Sequence, residues 1–210
     1  MSRNAILNIK DKVEGLVVVK GGHLGEDCEP CVLGKHHRHP FQEVDKCHEK
    51  PLELVHSDLC GKFPVEALGG GWYFVTFMDD CMWFCVVFIL KDKESRTLKK
   101  VFEMYKAWAE NQSGYKLKAI RTDGGGEYEK WMGAFLRDSG IEHQTTAPHT
   151  PESNGILEWM NHTLMEMVDP MMACTEASPK LWAEAVKMAC YIRNRLPTSS
   201  LEGNITPYET

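Results

Sequence analysis

The order of strand-like and helix-like segments constrains the fold of this chain more strongly than any other feature. Three runs rich in β-branched and aromatic residues come first, with no helical period between them, at 52–59, 72–78 and 82–90. Helical periods then alternate with two short strand-like runs, at 117–122 and 141–145. The order β-β-β-α-β-α-β-α-α predicts an antiparallel meander followed by parallel crossovers. We therefore expect an α/β fold, with a mixed five-stranded sheet flanked by helices.

Turn residues and apolar periods place the elements more closely. Asp79-Asp80-Cys81 joins the second and third runs and predicts the tight turn of an antiparallel hairpin. Helices are expected over 98–109, over 128–136, from about Ser153, and over 179–196 with proline in the first turn. The expected buried stripe of the first helix is Leu98, Val101, Phe102, Tyr105, Trp108 and Ala109.

Composition and length indicate an ordinary folded protein. The chain has 210 residues, of which 43% are hydrophobic and 26% charged, so a buried core is expected rather than disorder. The longest apolar run, Cys81 to Leu90, is too short to cross a bilayer, and no secretory signal precedes it. We expect no membrane partner. The eight cysteines are interpreted as reduced thiols of an intracellular protein.

The charge is distributed unevenly along the chain. Residues 1–50 hold equal numbers of acidic and basic residues and five of the nine histidines, whereas residues 51–210 carry the whole net charge of −6. The first fifty residues show no long helical period and are interpreted as a small appendage and linker. An acidic main domain does not favour nucleic-acid binding, which usually requires a basic surface.

Three acidic residues stand at the predicted ends of elements. Asp58 is expected to end the first strand, Asp123 ends the fourth, and Glu158 lies 35 positions further on, in a helix. If the first and fourth strands are neighbours, the two aspartates lie side by side, and a helix passing over that edge brings in the third carboxylate. Such a cluster is unfavourable unless divalent cations neutralise it. Solvated caps and turn formers are the alternative interpretation.

Other polar residues have competing interpretations as well. Asp79 and Asp80 are more readily turn formers than metal ligands. Glu152 is a rival for the third carboxylate, although it precedes the helix. His56 and His149 are either contacts for a substrate phosphate or ordinary hydrogen-bonded histidines.

Five segments occur in an order that is typical of one family. Together they resemble the integrase catalytic core of Ty1/copia-type LTR retrotransposons, which has the ribonuclease H-like fold, and the likeness covers about residues 50–210. The segments are Val55-His56-Ser57-Asp58-Leu59, Phe77-Met78-Asp79-Asp80, Arg121-Thr122-Asp123-Gly124-Gly125-Gly126-Glu127-Tyr128, Ala147-Pro148-His149-Thr150-Pro151-Glu152-Ser153-Asn154-Gly155-Ile156-Leu157-Glu158 and Leu181-Trp182-Ala183-Glu184-Ala185-Val186.

The resemblance implies a reaction and a set of site residues. The activity is that of a polynucleotidyl transferase and endonuclease, which processes DNA 3′ ends and joins them to target DNA with Mg²⁺ or Mn²⁺. It assigns catalysis and metal binding to Asp58, Asp123 and Glu158, and substrate binding to Asn154 and Gly155. The implied partners are the element's DNA ends, target DNA and further copies of the chain, with no small-molecule cofactor. The implied location is the nucleus.

The segment before residue 51 resembles a truncated pre-integrase zinc segment. Cys28 and Cys31 supply one pair of Zn²⁺ ligands, but only His23 stands upstream where the family has a histidine pair. The site is therefore incomplete, and its alternative is a remnant with two free thiols. Possible substitute ligands are His36, His37, His39, Cys47 and His48.

Several departures from the family pattern favour an alternative function. Gly124 replaces the usual asparagine, Trp159-Met160 replaces polar or basic residues, and Pro170 predicts a kink or break in the third helix. The chain also ends inside a family motif at 207–210, so the core is expected to be C-terminally truncated. The alternative is a catalytically inactive transposon remnant that binds nucleic acid weakly at most. A third interpretation is a free-standing ribonuclease H-like nuclease that cleaves RNA–DNA hybrids.

Overall fold

The structure is a computed structural model, which describes residues 48–123, 125–145, 151–175, 177–198, 200–201, 203 and 205–210. At 126–127, 129–131, 134 and 151–154 it describes the backbone only. All the elements below lie in the unit from Glu43 to Thr210. None of the helices in the described part of the chain is both long and apolar enough to cross a membrane.

Five strands form one mixed sheet. They are β1 (Val55–Gly61), β2 (Tyr73–Asp79), β3 (Cys85–Leu90), β4 (Ala119–Thr122) and β5 (Glu142–Thr145). Their order across the sheet is β3-β2-β1-β4-β5. β1 pairs antiparallel with β2 and parallel with β4, so the first and fourth strands are neighbours. The predicted meander, crossovers and α/β sheet are all confirmed.

Four α-helices cover the sheet. They are α1 (Ser95–Ser113), α2 (Gly126–Asp138), α3 (Pro151–Cys174) and α4 (Trp182–Arg193). A short 3₁₀ turn at Pro179–Leu181 leads into α4, so the predicted last helix begins with a different geometry and ends earlier than residue 196. The helix α3 continues through Pro170, so of the expected kink or break the break does not occur.

The two faces of the sheet are buried in two separate apolar layers. Alternation along β2 sends Val75 and Phe77 to the layer beneath α1 and α2, and Phe74 and Met78 to the layer beneath α3 and α4. Phe77 stacks on Tyr105 of α1 with ring centroids 4.4 Å apart. The sheet is therefore the middle layer of a three-layer domain.

Two sequence expectations about element details are wrong. Asp58 does not end β1, because the strand continues to Gly61 as the partner of β2. Asp58 lies beyond the two residue pairs that join β1 to β4, so at this residue β1 pairs with β2 but no longer with β4. Trp108 is 43% exposed rather than buried in the stripe of α1, because it lies at the rim of the aromatic cluster.

Candidate active site

Asp58 lies on the face of the sheet that α3 covers. Val55 and Leu59 pack into the layer beneath α1 and α2, whereas Cys60 packs into the opposite layer. Since side chains alternate along a strand, Asp58 shares the face of Cys60. Its antiparallel partner is Thr76 on β2. The strand register therefore points Asp58 towards α3.

Asp123 follows directly after β4, where the sequence predicts it. Its Oδ1 accepts a hydrogen bond from the backbone N–H of Gly125 at 3.0 Å, and Gly125 immediately precedes α2. A second link stabilises this corner: the hydroxyls of Ser57 and Tyr128 are 3.1 Å apart and join β1 to α2. The carboxylate of Asp123 itself is exposed to solvent.

Glu158 is held in place by the apolar stripe of α3. Leu157, Met160, Leu164 and Val168 recur at helical spacing and are buried in the layer beneath α3 and α4. This fixes the rotation of the helix about its axis and leaves Glu158 exposed. One turn further on, Asn161 faces the sheet, donating from Nδ2 to Asp58 Oδ2 at 2.8 Å.

The three carboxylates are close enough to interact electrostatically. Burial raises the pKa of Asp58 to about 6, and the negative charges of Asp123 and Glu158 act in the same direction. Hydrogen bonds from the backbone of Leu59 and from Asn161 lower that pKa and offset the increase only in part. The structure thus brings all three predicted residues to one rim of the sheet, where their charges repel.

This rim suits a hard divalent cation by its chemistry. The repulsion that Asp123 and Glu158 exert on Asp58 is relieved when a cation lies among these carboxylates. Among the described residues, which include the side chains of all three carboxylates, no group of three or more His, Cys, Asp or Glu is placed so that it could hold a metal ion. Mg²⁺ takes few carboxylates and keeps several water ligands, so the donor types fit that ion better than a closed protein cage.

The rival acids have other partners. Asp79 accepts backbone hydrogen bonds from Leu52, Cys81 and Met82 at 2.6, 3.0 and 2.8 Å, as the predicted turn former does. Asp80 lies 2.8 Å from His56 Nε2 through one oxygen and 2.8 Å from His48 Nδ1 through the other. His56 is thus buried against a carboxylate.

The remaining sequence candidates divide into two groups. A Cβ added at Gly155 would meet open space, so the described contacts do not require glycine there, and its substrate-binding role stays a prediction. Cys28, Cys31 and His149 lie outside the described residues, as do the side chains of Glu152 and Asn154. The zinc segment and the asparagine assignment therefore stay predictions.

Trp159 and Met160, which the sequence pattern groups together, have opposite environments. Met160 is fully buried in the core beneath α3, so a side chain at this position packs in the core and cannot contact a substrate phosphate. Trp159 is 47% exposed, and its ring packs edge-on against Trp83, with centroids 6.2 Å apart.

The sequence reasoning missed the residues that support Asp58. Asn161 bridges two strands, since its Oδ1 accepts a hydrogen bond from Thr76 Oγ1 at 2.7 Å while its amide donates to Asp58. The available signal was its position three residues after Glu158, on a helical face that otherwise carries core residues. A buried amide at such a position needs a partner.

Comparison with known proteins identifies the class of this domain. Residues 48–151 match the family described as integrase core domain. Two solved structures share the fold: a chain of the simian T-cell lymphotropic virus intasome in complex with PP2A regulatory subunit B56 gamma, and the HTLV-2 integrase catalytic core domain in complex with magnesium. The first has a TM-score of 0.61 and 17% identity, covering 78% of this chain and 55% of that one. The second has a TM-score of 0.56 and 15% identity, covering 76% of this chain and 96% of that one.

These matches support an integrase catalytic core in this chain, and its fold is that of integrase catalytic cores, the ribonuclease H-like fold. Its relatives are retrotransposon proteins, as the resemblance to Ty1/copia elements predicted. The retrovirus-related Pol polyprotein from transposon TNT 1-94 of Nicotiana tabacum is 39% identical over 189 residues, which are 90% of this chain. The corresponding polyprotein from transposon RE2 of Arabidopsis thaliana is 31% identical over 198 residues, which are 94% of this chain. The chain spans 14% and 13% of the lengths of these two relatives.

Proposed function

We propose that this domain cuts and joins DNA ends with Mg²⁺, or Mn²⁺ in its place, as the integrase core of a retrotransposon. The reaction is a pair of phosphoryl transfers. In the first, water attacks a phosphodiester near the element's DNA end, the P–O3′ bond breaks, and a free 3′ hydroxyl remains. In the second, that hydroxyl attacks a phosphodiester of target DNA, a new P–O3′ bond forms, and a target 3′ hydroxyl leaves.

The observation that carries this proposal is the electrostatic coupling of Asp58 with Asp123 and Glu158. Three separate elements, β1, the end of β4 and α3, contribute one carboxylate each to this rim. Burial is the main cause of the raised pKa of Asp58, about 6, and repulsion from Asp123 and Glu158 adds to it, which supports their proximity. A fold that only needed stability would not gain from this repulsion.

The residues have distinct roles in the proposed reaction. Asp58 and Asp123 would share the divalent cations, and Glu158 would hold the second cation from α3. Asn161 orients the Asp58 carboxylate through its 2.8 Å hydrogen bond. When bound, Mg²⁺ supplies positive charge that offsets the charge on the transferring phosphate oxygens. The exposed positions of Asp123 and Glu158 leave room for a DNA strand above them.

The proposed partners and location follow from this activity. They are the element's DNA ends, target DNA and further copies of the chain, which act in the nucleus. The HTLV-2 neighbour is described as bound to magnesium and trimeric, and the simian virus neighbour as part of an intasome, which supports a divalent metal, DNA and assembly. A zinc ion bound through Cys28 and Cys31 remains a separate proposal, and metal analysis of the purified chain tests it.

The direct test is strand transfer on a short duplex that carries the element's terminal sequence, with Mg²⁺ or Mn²⁺. Asp123→Asn is expected to abolish the joined product, because an amide cannot neutralise the cation. Asp138→Asn, an exposed aspartate at the end of α2, is the matched control and should retain activity. Equal activity of the wild type and Asp123→Asn would contradict the proposed role.

The inactive-remnant alternative has its own measurement. Calorimetric titration with Mn²⁺ should show binding that Glu158→Gln weakens and that Glu166→Gln, an exposed acid two turns along α3, does not. Absence of both metal binding and strand transfer in the wild type would favour the remnant. Cleavage of RNA–DNA hybrids without DNA joining would favour the nuclease interpretation.

A further inference from the structure

An exposed aromatic ring lies directly beside the proposed catalytic glutamate. Trp159 is the next residue after Glu158 on α3, and its side chain is 47% exposed. The apolar stripe of α3 buries Leu157 and Met160 on either side in the sequence, so the rotation of the helix keeps Trp159 at the surface. The indole is therefore accessible to a ligand that approaches the rim beside Glu158.

The ring of Trp159 is held in one orientation. Trp83 packs against it at an interplanar angle of 78°, and the Arg193 guanidinium lies over the ring, 5.6 Å from its centroid. Trp83 itself has a φ of 57°, a left-handed conformation that is uncommon for a bulky residue. The backbone strain therefore lies in the turn that carries Trp83, and the Trp83 ring is the one that packs against Trp159.

Arg193 supplies a positive charge without a neutralising anion in the described part of the chain. It is only 6% exposed, its Nη2 donates to Thr198 Oγ1 at 3.3 Å, and its Nη1 has no hydrogen-bond partner there. The nearby Cys85 thiol does not neutralise it, because its hydrogen bond with Cys190 and its burial raise the pKa of Cys85 well above its usual value. Trp83 Nε1 is a second buried donor without a partner. Both unused donors belong to the residues that contact Trp159.

The helix beside the site lacks the usual means of binding a phosphate backbone. No lysine or arginine occurs in the whole of α3, from Pro151 to Cys174. Phosphate contacts normally supply much of the affinity for DNA, and here this helix cannot provide them. An exposed indole can supply binding energy independently of charge, because every nucleobase has a face that stacks on an aromatic ring.

We propose that Trp159 forms a subsite for an unpaired nucleotide at a DNA end, with the base stacked on the indole ring against which Trp83 and the buried Arg193 pack. This subsite rests on the proposed function for its choice of DNA as the partner. It places an unpaired end next to Glu158, where a frayed terminus reaches the carboxylates more easily than a fully paired one. The ligand class is single-stranded DNA.

The test measures binding rather than catalysis. A fluorescein-labelled single-stranded oligonucleotide and a blunt duplex of the same sequence are titrated with the chain in EDTA and followed by anisotropy. Trp159→Ala should weaken binding of the single strand about 5- to 100-fold, the range for loss of one stacked base. Binding of the blunt duplex should change less than about twofold, since phosphate contacts elsewhere are unchanged.

Two further variants separate stacking from general damage. Trp159→Phe retains an aromatic face and should bind within about threefold of the wild type, whereas Trp159→Leu should behave as Trp159→Ala does. Trp108→Ala is the matched control, because Trp108 on α1 is 43% exposed and also packs against two rings. A loss of affinity in Trp108→Ala equal to that in Trp159→Ala would overturn the subsite.

A measurement on the unchanged chain does not depend on how any variant folds. A single strand that carries 5-iodouracil, irradiated in the complex, should crosslink at Trp159, as located by mass spectrometry. Crosslinks confined to other residues, or no binding of single strands by the wild type, would overturn the proposal. If the wild type joins DNA ends but Trp159→Ala binds single strands normally, the subsite is wrong and the proposed function stands. If Trp159→Ala weakens binding of single strands but the wild type joins no DNA ends with metal, the subsite stands and the proposed function is wrong.

Discussion

The amide of Asn161 donates a hydrogen bond from Nδ2 to Oδ2 of Asp58 at 2.8 Å, across 103 residues of sequence. The same amide accepts from the Thr76 hydroxyl at 2.7 Å, so one α3 side chain fixes a carboxylate and satisfies a buried hydroxyl. Because the Asn161 side chain uses both its N–H donor and its carbonyl acceptor, any other residue type of similar size would lose at least one of these hydrogen bonds.

Asn161→Ala should therefore affect both stability and the site. The free energy of unfolding is expected to fall by about 1–3 kcal/mol, because the Thr76 hydroxyl loses its partner in a buried position. The pKa of Asp58 should rise further, since the hydrogen bond that lowers it is gone. Urea denaturation measures the first effect and carbon-detected NMR titration of Asp58 the second. Asn111→Ala, at an exposed position of α1, is the control and should change neither.

Asp58 should make the fold less stable as the pH rises. Its pKa in the folded chain is about 6 against an ordinary value of 3.8, so between these values the folded state binds more protons than the unfolded state. Asp58→Asn is expected to be more stable than the wild type at pH 7.5 by roughly 1–2 kcal/mol, allowing for partial exposure of the carboxyl. The difference should disappear below about pH 4, where Asp58 is protonated in both states.

Thermal unfolding in EDTA at several pH values checks this prediction. A divalent cation should then reverse the order, because Mg²⁺ that binds only the folded wild type raises its stability by mass action. A wild type that is the more stable of the two at pH 7.5 in EDTA would show that burial and repulsion do not disfavour the Asp58 charge.

Asp80 should show the opposite pH dependence. Burial alone would raise its pKa, but hydrogen bonds from His56 and from the backbone and ring of His48 outweigh burial and hold the pKa well below its ordinary value. A lowered pKa contributes stability above the ordinary value of 3.8 and loses it as the pH falls. Asp80→Asn should reduce the free energy of unfolding by about 2 kcal/mol at pH 7, because the amide cannot accept all of these hydrogen bonds.

The loss caused by Asp80→Asn should shrink as the pH falls below about 4, since the Asp80 carboxylate of the unfolded wild type then takes up a proton that the folded state does not bind. Guanidinium denaturation at pH 7 and pH 3 measures the two values. Asp169→Asn, at an exposed position of α3, should cost little at either pH. A loss for Asp80→Asn that is equal at both pH values would mean that the charge of Asp80 contributes nothing.

Much of the fold follows from local sequence patterns, and the reason is periodicity. The period-two alternation of β2 and the apolar stripe of α3 each specify which side chains are buried without knowledge of the partner. The chain order of strands and helices then leaves few topologies, and the neighbouring position of β1 and β4 is one of them. Asp123 at the end of β4 was predictable for the same reason.

Long-range polar contacts were not predictable in this way. The bond between Asn161 and Asp58 depends on how two elements pack, and no local pattern encodes it. His48 lies in the segment interpreted as an appendage, yet it contacts Asp80 from 32 residues away. Trp159 and Met160 differ only in their phase on α3, which requires the exact rotation of the helix against the sheet.

That difference in phase makes Trp159 and Met160 respond differently to the same substitution. Met160→Lys should destabilise the fold by about 3 kcal/mol or more, because it places an unpaired charge in the core. Trp159→Lys should cost clearly less, about 1–2 kcal/mol, because its ammonium group reaches water although the contacts with Trp83 and Arg193 are lost. Denaturant unfolding of the two variants side by side measures both, and equal losses would contradict the assignment of Met160 to the core.

Pro170 within α3 provides a prediction about the helix itself. Proline lacks the N–H that would donate to the carbonyl of Glu166, and its ring crowds that carbonyl, yet the helix continues to Cys174. Pro170→Ala should raise the free energy of unfolding by about 1–3 kcal/mol, because it restores the donor at an exposed position where no core contact is lost. Ala173→Pro, one turn further along the same exposed face, is the converse and should destabilise α3. Thermal unfolding measures both shifts, and a Pro170→Ala variant less stable than the wild type would mean that proline fits a local bend on which the packing of α3 depends.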